Sequence, residues 1–198
     1  MNRRIRLATI AVVAALAAGA GLAGAQTIAS KPQEWDRETL RLAGTLPVQE
    51  DGRVKPLSTY ADFALLRLNG HRGTRNLDGD PITSMVWLMD CLFYPDAARQ
   101  YKCFLVTDSE ALDAIQVSHE GKKKRDRYSY NELEKGIPEL FRLAGQYSQK
   151  EAKDLTPLES QIINLAHNVN EFERITHFLD FARHDFLKGG AARLQELV

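Results

Sequence analysis

The chain has 198 residues, in which 26 Lys and Arg balance 26 Asp and Glu, and 44% of the residues are hydrophobic. This composition is typical of a folded protein and excludes a disordered polyelectrolyte, a collagen and a membrane protein with several spans. The balanced charge also argues against a general nucleic-acid binder, which needs an excess of cations to neutralise phosphates. We therefore expect a folded domain that does not bind nucleic acid.

The N-terminus has the pattern of a secretory signal peptide. Arg3, Arg4 and Arg6 precede an uncharged run that ends in Ala23-Gly24-Ala25, the small-residue pattern that a signal peptidase cleaves. An uncleaved membrane anchor is the alternative, because the run is about as long as the ~20 residues that cross a bilayer. The sequence thus predicts an exported, periplasmic protein with three parts: a leader over residues 1–25, a linker and short helix over residues 26–45, and a single helical extracytoplasmic domain over residues 46–198.

The first half of this domain combines a hairpin with helices. After a short helix near residues 34–42, a Glu-Asp-Gly turn at residues 50–52 separates two short alternating stretches, which favours a small β-hairpin. A helix is expected from Pro56 to Asn69-Gly70, because apolar residues recur there at a spacing of three or four. Residues 71–80 are polar and contain glycine, so a loop is expected.

The middle of the chain is more apolar. Residues 81–94 have the length and periodicity of a buried helix that Pro95 ends. A short strand is expected over residues 102–106, and Asp108 is placed to cap the following helix. A further helix is expected after Asn131, with a break at Pro138.

The last helix has the strongest local signal. Thr156, Pro157 and Glu159 combine a capping box with proline at the first helical position, and the helix is predicted to continue to Leu187. An apolar seam runs along it at Leu158, Ile162, Leu165, Val169, Phe172, Leu179 and Phe186. Such a seam packs along another helix, and a neighbour in the same domain is favoured over a two-chain coiled coil because Thr176 and Arg183 interrupt the second stripe. The predicted fold is therefore mainly α, a helical domain with a small β-hairpin or short strands and a long C-terminal helix.

Cys91 and Cys103 are the only cysteines. In an oxidising compartment the pair could close a disulfide worth roughly 3 kcal/mol. Two buried free thiols are the equal alternative, because both cysteines lie in apolar runs. The sequence has no Cys-x-x-Cys motif, so a redox dithiol, a zinc knuckle and covalent haem attachment lack their signature.

A dense basic block stands at Lys122, Lys123, Lys124, Arg125 and Arg127. It predicts either a contact for phosphate or anionic lipid headgroups, or a solvated loop without a partner.

Four potential metal ligands lie on one face of the last helix, at Glu173, His177, Asp180 and His184. A single helix comfortably supplies two neighbouring ligands and seldom four, so solvated polar pairs explain the pattern equally well. The sequence contains no nucleophile elbow, no phosphate-binding glycine loop and no His-Glu-x-x-His motif. No residue is assigned a catalytic role, and we expect no enzyme activity.

A family resemblance begins in the segment Gly52-Arg53-Val54-Lys55-Pro56-Leu57-Ser58-Thr59-Tyr60-Ala61. This segment resembles one near the start of extracytoplasmic regions in bacterial cytochrome c biogenesis proteins of the CcsA/ResB type (system II). The likeness covers residues 46–178. Further similar stretches follow in the same order: Trp87 to Asp90 with Phe93, Phe104 to Val106, Arg127 to Leu133, and Glu159 to Phe172.

The resemblance implies a role in delivering haem to exported apocytochromes and attaching it there. In that family several membrane spans, a tryptophan-rich segment and adjacent histidines handle haem, and this sequence has no matching positions. The resemblance therefore implies a non-catalytic accessory domain, or the N-terminal fragment of a longer membrane protein. It also implies that the wider machinery holds haem and that this domain binds no cofactor. The implied partners are membrane-embedded assembly proteins or apocytochrome c.

The expected partner surface comprises Arg53, Lys55, Tyr60 and the basic block, which would also serve a membrane surface. Two other functions are kept as alternatives. One is a periplasmic haem- or metal-binding carrier that uses His177 and His184, and the other is a structural module of a membrane complex.

Overall fold

The computed structural model describes residues 34–50 and 52–182, which form a mainly α fold with three two-stranded antiparallel sheets, the first two of which are hairpins. The helices are α1 (Arg37–Gly44), α2 (Leu57–Asn69), α3 (Ser84–Phe93), α4 (Pro95–Ala98), α5 (Glu110–Ala114), α6 (Tyr130–Leu133), α7 (Ile137–Tyr147) and α8 (Pro157–His177). The strands are β1 (Pro47–Glu50), β2 (Arg53–Pro56), β3 (Gly73–Arg75), β4 (Pro81–Thr83), β5 (Phe104–Val106) and β6 (Asp126–Tyr128). The predicted mainly α fold is confirmed. The predicted signal peptide, the start of the linker, Arg183, His184 and Phe186 lie outside the described residues.

The first hairpin and the helix after it form where the sequence predicts them. β1 pairs with β2 so that Glu50 lies opposite Arg53, and Gly52 adopts a φ of 74° in the turn, which L side chains rarely tolerate. Helix α2 begins directly after Pro56 and ends at Gly70 in the left-handed conformation.

The predicted loop at residues 71–80 is wrong, because part of it forms a second hairpin. β3 pairs with β4, and Arg75 lies opposite Pro81. The turn is closed by Asn76 and Asp80, whose backbone and side-chain hydrogen bonds measure 2.9 Å and 2.8 Å. The following helix therefore begins at Ser84, three residues later than Pro81, with Thr83 as its cap.

Helix starts later in the chain follow local capping rules. Ser129, rather than the predicted Asn131, caps α6 through a capping box with Glu132. A 3-10 turn over Glu134–Gly136 separates α6 from α7, as the predicted break at Pro138 requires. The capping box predicted for α8 is present, because the Glu159 N–H donates to Thr156 Oγ1 and the Thr156 N–H donates to Glu159 Oε2.

The last α-helix is shorter than predicted. It ends at His177 rather than Leu187, and a 3-10 turn over Asp180–Ala182 follows. The Phe178 N–H donates to the carbonyl of Ile175, three residues earlier, which tightens the final turn. At ~1.5 Å per residue the helix is roughly 30 Å long, about the diameter of a small domain.

The seam of α8 forms one side of the core and packs most extensively on α7. Its buried members are Ile162, Leu165, Val169, Phe172 and Ile175. The predicted intramolecular neighbour is therefore confirmed. Thr176 is also buried and does not interrupt the packing, because its hydroxyl donates to the carbonyls of Phe172 and Glu173 at 3.0 and 3.1 Å.

Phe172 is the aromatic centre of this core. Its ring lies 5.3 Å from that of Phe104 and 5.5 Å from that of Tyr130, and none of it is exposed. It therefore joins α8 to β5 and α6.

We expect Phe172→Ala to lower the free energy of unfolding by about 3–5 kcal/mol, because it removes buried contacts and leaves a cavity. The matched control is Phe178→Ala, at a ring that is 69% exposed, which should change stability by less than about 0.5 kcal/mol. Urea titration followed by circular dichroism measures both. Equal losses in the two variants would show that the seam is not the core.

Candidate functional site

The motif that carries the family resemblance forms β2 and the first turn of α2. The Leu57 N–H donates to the carbonyl of Leu46 at 2.8 Å, which ties the start of the helix to the residue just before β1. Pro56 supplies no side-chain cap, so the chain passes from strand to helix without a loop. The hairpin and α2 are therefore one continuous structural unit.

Two carboxylates fasten this unit to the last helix. Glu50 accepts hydrogen bonds from Lys55 and from Arg67, the second at 3.3 Å. Glu171 accepts from the Tyr60 hydroxyl at 2.9 Å and from Arg67 at 3.3 Å. We call these five residues the carboxylate clamp. Because Arg67 Nη2 reaches both carboxylates, the clamp joins β1, β2, α2 and α8.

Burial and charge in the clamp shift two pKa values. Burial raises the pKa of Glu50, but the hydrogen bond and charge of Lys55, with Arg67, outweigh it, so the pKa lies below its ordinary value. The pKa of Tyr60 is raised well above its ordinary value, first by burial and then by the charge of Glu171. Tyr60 therefore stays a neutral hydrogen-bond donor throughout the physiological range.

One face of the hairpin lies against the protein, and the other face is exposed to solvent. Side chains alternate along a strand, and Val48, Glu50 and Lys55 are the half-buried set. The opposite set is exposed and uncharged, and we call it the outward face: Pro47, Gln49, Val54 and Pro56. Val54 is 71% exposed, the largest exposed fraction among the large hydrophobic residues described.

Two of the predicted contact residues on this unit have internal partners. Lys55 and Tyr60 both belong to the carboxylate clamp, so we assign them to positioning the hairpin. Arg53 is exposed next to the turn, and its role in binding a partner stays a prediction.

Several side chains of the basic block also form hydrogen bonds or ion pairs within the protein. Lys122 Nζ donates to Glu132 at 2.6 Å and lies 3.7 Å from the centre of the Tyr128 ring. Arg127 donates to the side chain and the carbonyl of Asn69. Lys124 pairs with Asp108 at 3.0 Å, and burial is slight there. Lys123, Lys124 and Arg125 are the exposed members of the block.

The cysteines are two buried free thiols in this structure. Burial raises the pKa of the Cys103 thiol to about 12, against an opposite effect of the neighbouring Trp87 N–H. Burial likewise raises the pKa of Cys91, and the adjacent Cys103 adds to the increase. Neither thiol is an activated nucleophile in this state.

The histidine pattern is only partly described. His177 Nδ1 and Asp180 Oδ2 lie 2.8 Å apart at the exposed end of α8, and Glu173 accepts instead from the Tyr130 hydroxyl at 2.7 Å. His184 lies outside the described residues. Within the described ranges, no three His, Cys, Asp or Glu side chains are grouped to hold a metal ion.

Sequence reasoning missed Glu50, Arg67 and Glu171, although they hold the site together. Arg67 and Glu171 are 104 residues apart, so no local pattern pairs them. It also missed a groove of about 840 Å³ between β5 and α8, where Gln161, Asn164 and Asn168 form a polar wall. A charged residue in the buried stripe of α8, as Glu171 is, was the one available signal.

Comparisons with protein-family models, with curated proteins and with solved structures gave no match. The resemblance of residues 52–61 to cytochrome c biogenesis proteins therefore stays a prediction from the sequence. No helix within the described ranges is both long and apolar enough to cross a membrane.

Removal of the Glu50 charge tests the clamp. Because its pKa is lower in the folded state, Glu50 adds stability that is complete above its unfolded pKa and is lost as pH falls through the folded value. We expect Glu50→Gln to cost about 1.5–3 kcal/mol at pH 7, as for a hydrogen bond to a charged group. The cost should shrink below pH 4.5, the ordinary value for this carboxyl.

Glu139→Gln is the matched control, because Glu139 pairs with Arg142 only three residues away at an open surface. Unfolding by urea at neutral and acidic pH measures both variants, and the control should lose less at neutral pH. A deficit of Glu50→Gln that stays constant from neutral to acidic pH would show that the Glu50 charge does not hold the hairpin.

Proposed function

We propose that this chain is a non-catalytic extracytoplasmic domain that docks partners during cytochrome c maturation. The observation that carries the proposal is that the motif of residues 52–61 builds a clamped hairpin whose outward face is exposed among the described residues. The motif supplies the link to haem attachment, and the hairpin supplies a surface for docking. Haem itself stays with the membrane-embedded machinery.

The outward face has the chemistry of a protein contact. It is uncharged, so a partner can cover it without removing an ion from water. Two of its four residues are proline, which lose no backbone donor on burial because they have none. Leu46, which is 56% exposed, extends the apolar area at the base of β1.

The carboxylate clamp makes this face rigid before a partner arrives. A hairpin of two short strands is marginally stable alone, and binding would then include the cost of ordering it. Arg67 and Tyr60 hold the hairpin and α2 against α8 through Glu171. The hairpin is therefore already ordered in the folded protein, and binding a partner does not include the entropic cost of ordering it. Preorganisation of this kind suits a docking element better than a substrate site.

The partner class follows from the resemblance and fits an uncharged surface. We propose a membrane-embedded cytochrome c assembly protein or apocytochrome c, each of which presents apolar polypeptide. The proposal assigns the described residues no step in haem transfer.

Site-specific photocrosslinking tests this proposal. A photoreactive amino acid replaces Val54 in cells that make c-type cytochromes, and crosslinked products are identified by mass spectrometry. The control position is Leu77, which is 49% exposed and follows β3 in the second hairpin. We expect crosslinks to a cytochrome c assembly component or apocytochrome from position 54 and none from position 77.

A functional readout accompanies the crosslinks. Val54→Asp places a charge on the outward face and should reduce covalently attached haem in c-type cytochromes, as seen by haem staining, with unchanged thermal stability. Leu77→Asp should leave haem attachment unchanged. Crosslinks to an unrelated complex, or normal haem attachment in cells that lack the protein, would contradict the proposed function.

A further inference from the structure

We propose that a second surface, on the other side of the hairpin from the outward face, docks the protein on an anionic lipid bilayer. We call it the arginine–phenylalanine surface, and it consists of Arg53, Lys55, Phe63, Arg67, Arg72 and Arg174. It does not use the outward face and therefore does not depend on the proposed protein partner.

An exposed aromatic ring lies between two cations in this surface. Phe63 of α2 is 42% exposed. The Lys55 ammonium lies 5.8 Å from the centre of its ring, and the Arg72 guanidinium lies 5.5 Å from it. These contacts place the hairpin, α2 and the segment after α2 side by side.

The same surface continues across α8 through the clamp. Arg67 follows Phe63 by one helical turn and reaches Glu171, whose other oxygen lies 3.8 Å from Arg174. Arg53 lies directly across the hairpin from Glu50. Among the described residues, five cations thus lie near two carboxylates, and these carboxylates are more buried than the exposed arginines.

This excess of cations arises because basic residues cluster on this surface, and not because the chain as a whole is basic. The whole chain has 26 basic and 26 acidic residues, so a patch with five cations and two acids departs from the average. Arg174 is 75% exposed, and its only described acidic contact is the distant oxygen of Glu171. Arg53, Arg72 and Arg174 are exposed and carry the charge that this surface presents to solvent, whereas Lys55 and Arg67 are paired with Glu50 and Glu171.

A bilayer fits this surface better than a small anion or an acidic protein does. Arg67 lines the groove between β5 and α8, whereas the exposed ring of Phe63 and its two cations, Lys55 and Arg72, lie outside both that groove and the groove beside α1. Headgroup phosphates move laterally and meet cations in any arrangement, and an aromatic ring beside them enters the interface. Arginine in particular binds phosphate through its planar pair of donors.

The basic block is the rival membrane contact in this chain. Lys122 and Arg127 are held by Glu132 and Asn69, and Lys124 pairs with Asp108. The block also lacks an exposed aromatic ring, because Tyr128 is buried. It therefore offers less apolar contact than the arginine–phenylalanine surface, in which Phe63 is exposed.

Sedimentation with vesicles tests the proposal on the mature exported protein. One set of vesicles contains phosphatidylglycerol with phosphatidylcholine, and the other contains phosphatidylcholine alone. We expect binding to the anionic vesicles only, and a decrease with added salt. The triple variant Arg53→Gln, Arg72→Gln, Arg174→Gln should bind about a hundredfold more weakly, because each cation near a charged membrane contributes about fivefold.

A charge-matched variant provides the control. Arg41→Gln, Arg142→Gln, Lys153→Gln removes the same charge from exposed residues elsewhere and should bind nearly as wild type. Phe63→Ala should weaken binding several-fold without changing its dependence on salt. Val54→Asp should retain most vesicle binding, which separates failure of this proposal from failure of the proposed function.

Four results would overturn the proposal. The first two are equal binding to both kinds of vesicle and equal losses of binding in the two triple variants. The third is a loss of binding in the double variant Lys123→Gln with Arg125→Gln, while the triple variant of the arginine–phenylalanine surface binds normally. The fourth is tighter binding to polyglutamate than to anionic vesicles. The last result would assign the surface to an acidic protein.

Discussion

The position of the hairpin depends on one shared cation. Arg67 donates to Glu50 from the hairpin and to Glu171 from the last helix, and Tyr60 adds a second bond to Glu171. Both carboxylates are largely removed from water, where an unpaired charge is costly, so the fold holds them only while Arg67 and its neighbours remain. The constraint fixes which side of the hairpin faces the protein, and therefore which side is left for a partner.

The core provides the frame on which the clamp acts. The seam of α8 packs on α7 and on the aromatic cluster around Phe172. Glu171 precedes Phe172 in the same helix, so the packing of one residue sets the position of the other. In this account, the hydrophobic core positions the two proposed docking surfaces through adjacent residues of α8. The proposed outward face and the arginine–phenylalanine surface are two sides of the same clamped unit.

Elements that obey local rules could be predicted from the sequence. The start of α8 is fixed by Thr156 and Glu159, and the first hairpin by Gly52 in its turn, so both needed only neighbouring residues. The second hairpin could not, because its three-residue strands carry no alternating apolar pattern and its turn is closed by Asn76 and Asp80. The end of α8 was placed too late, since apolar residues continue past His177.

The candidate site was only partly predictable for a different reason. Lys55 and Tyr60 are predicted as contact residues because they lie in the segment that carries the family resemblance. Their partners are distant in sequence, and Tyr60 and Glu171 are 111 residues apart. A one-dimensional pattern does not show which cations are already paired. The surface left over, around Phe63 and Arg72, appears only when the paired cations are known.

Hydrogen–deuterium exchange at the hairpin amides tests the central claim most directly. The account predicts that Glu171→Gln, which keeps the shape of the side chain and removes its charge, accelerates exchange in residues 48–55. It should leave exchange unchanged in the second hairpin, which has no contact with Glu171 among the described hydrogen bonds and ion pairs. Equal exchange in the first hairpin of both proteins would show that the clamp does not hold it.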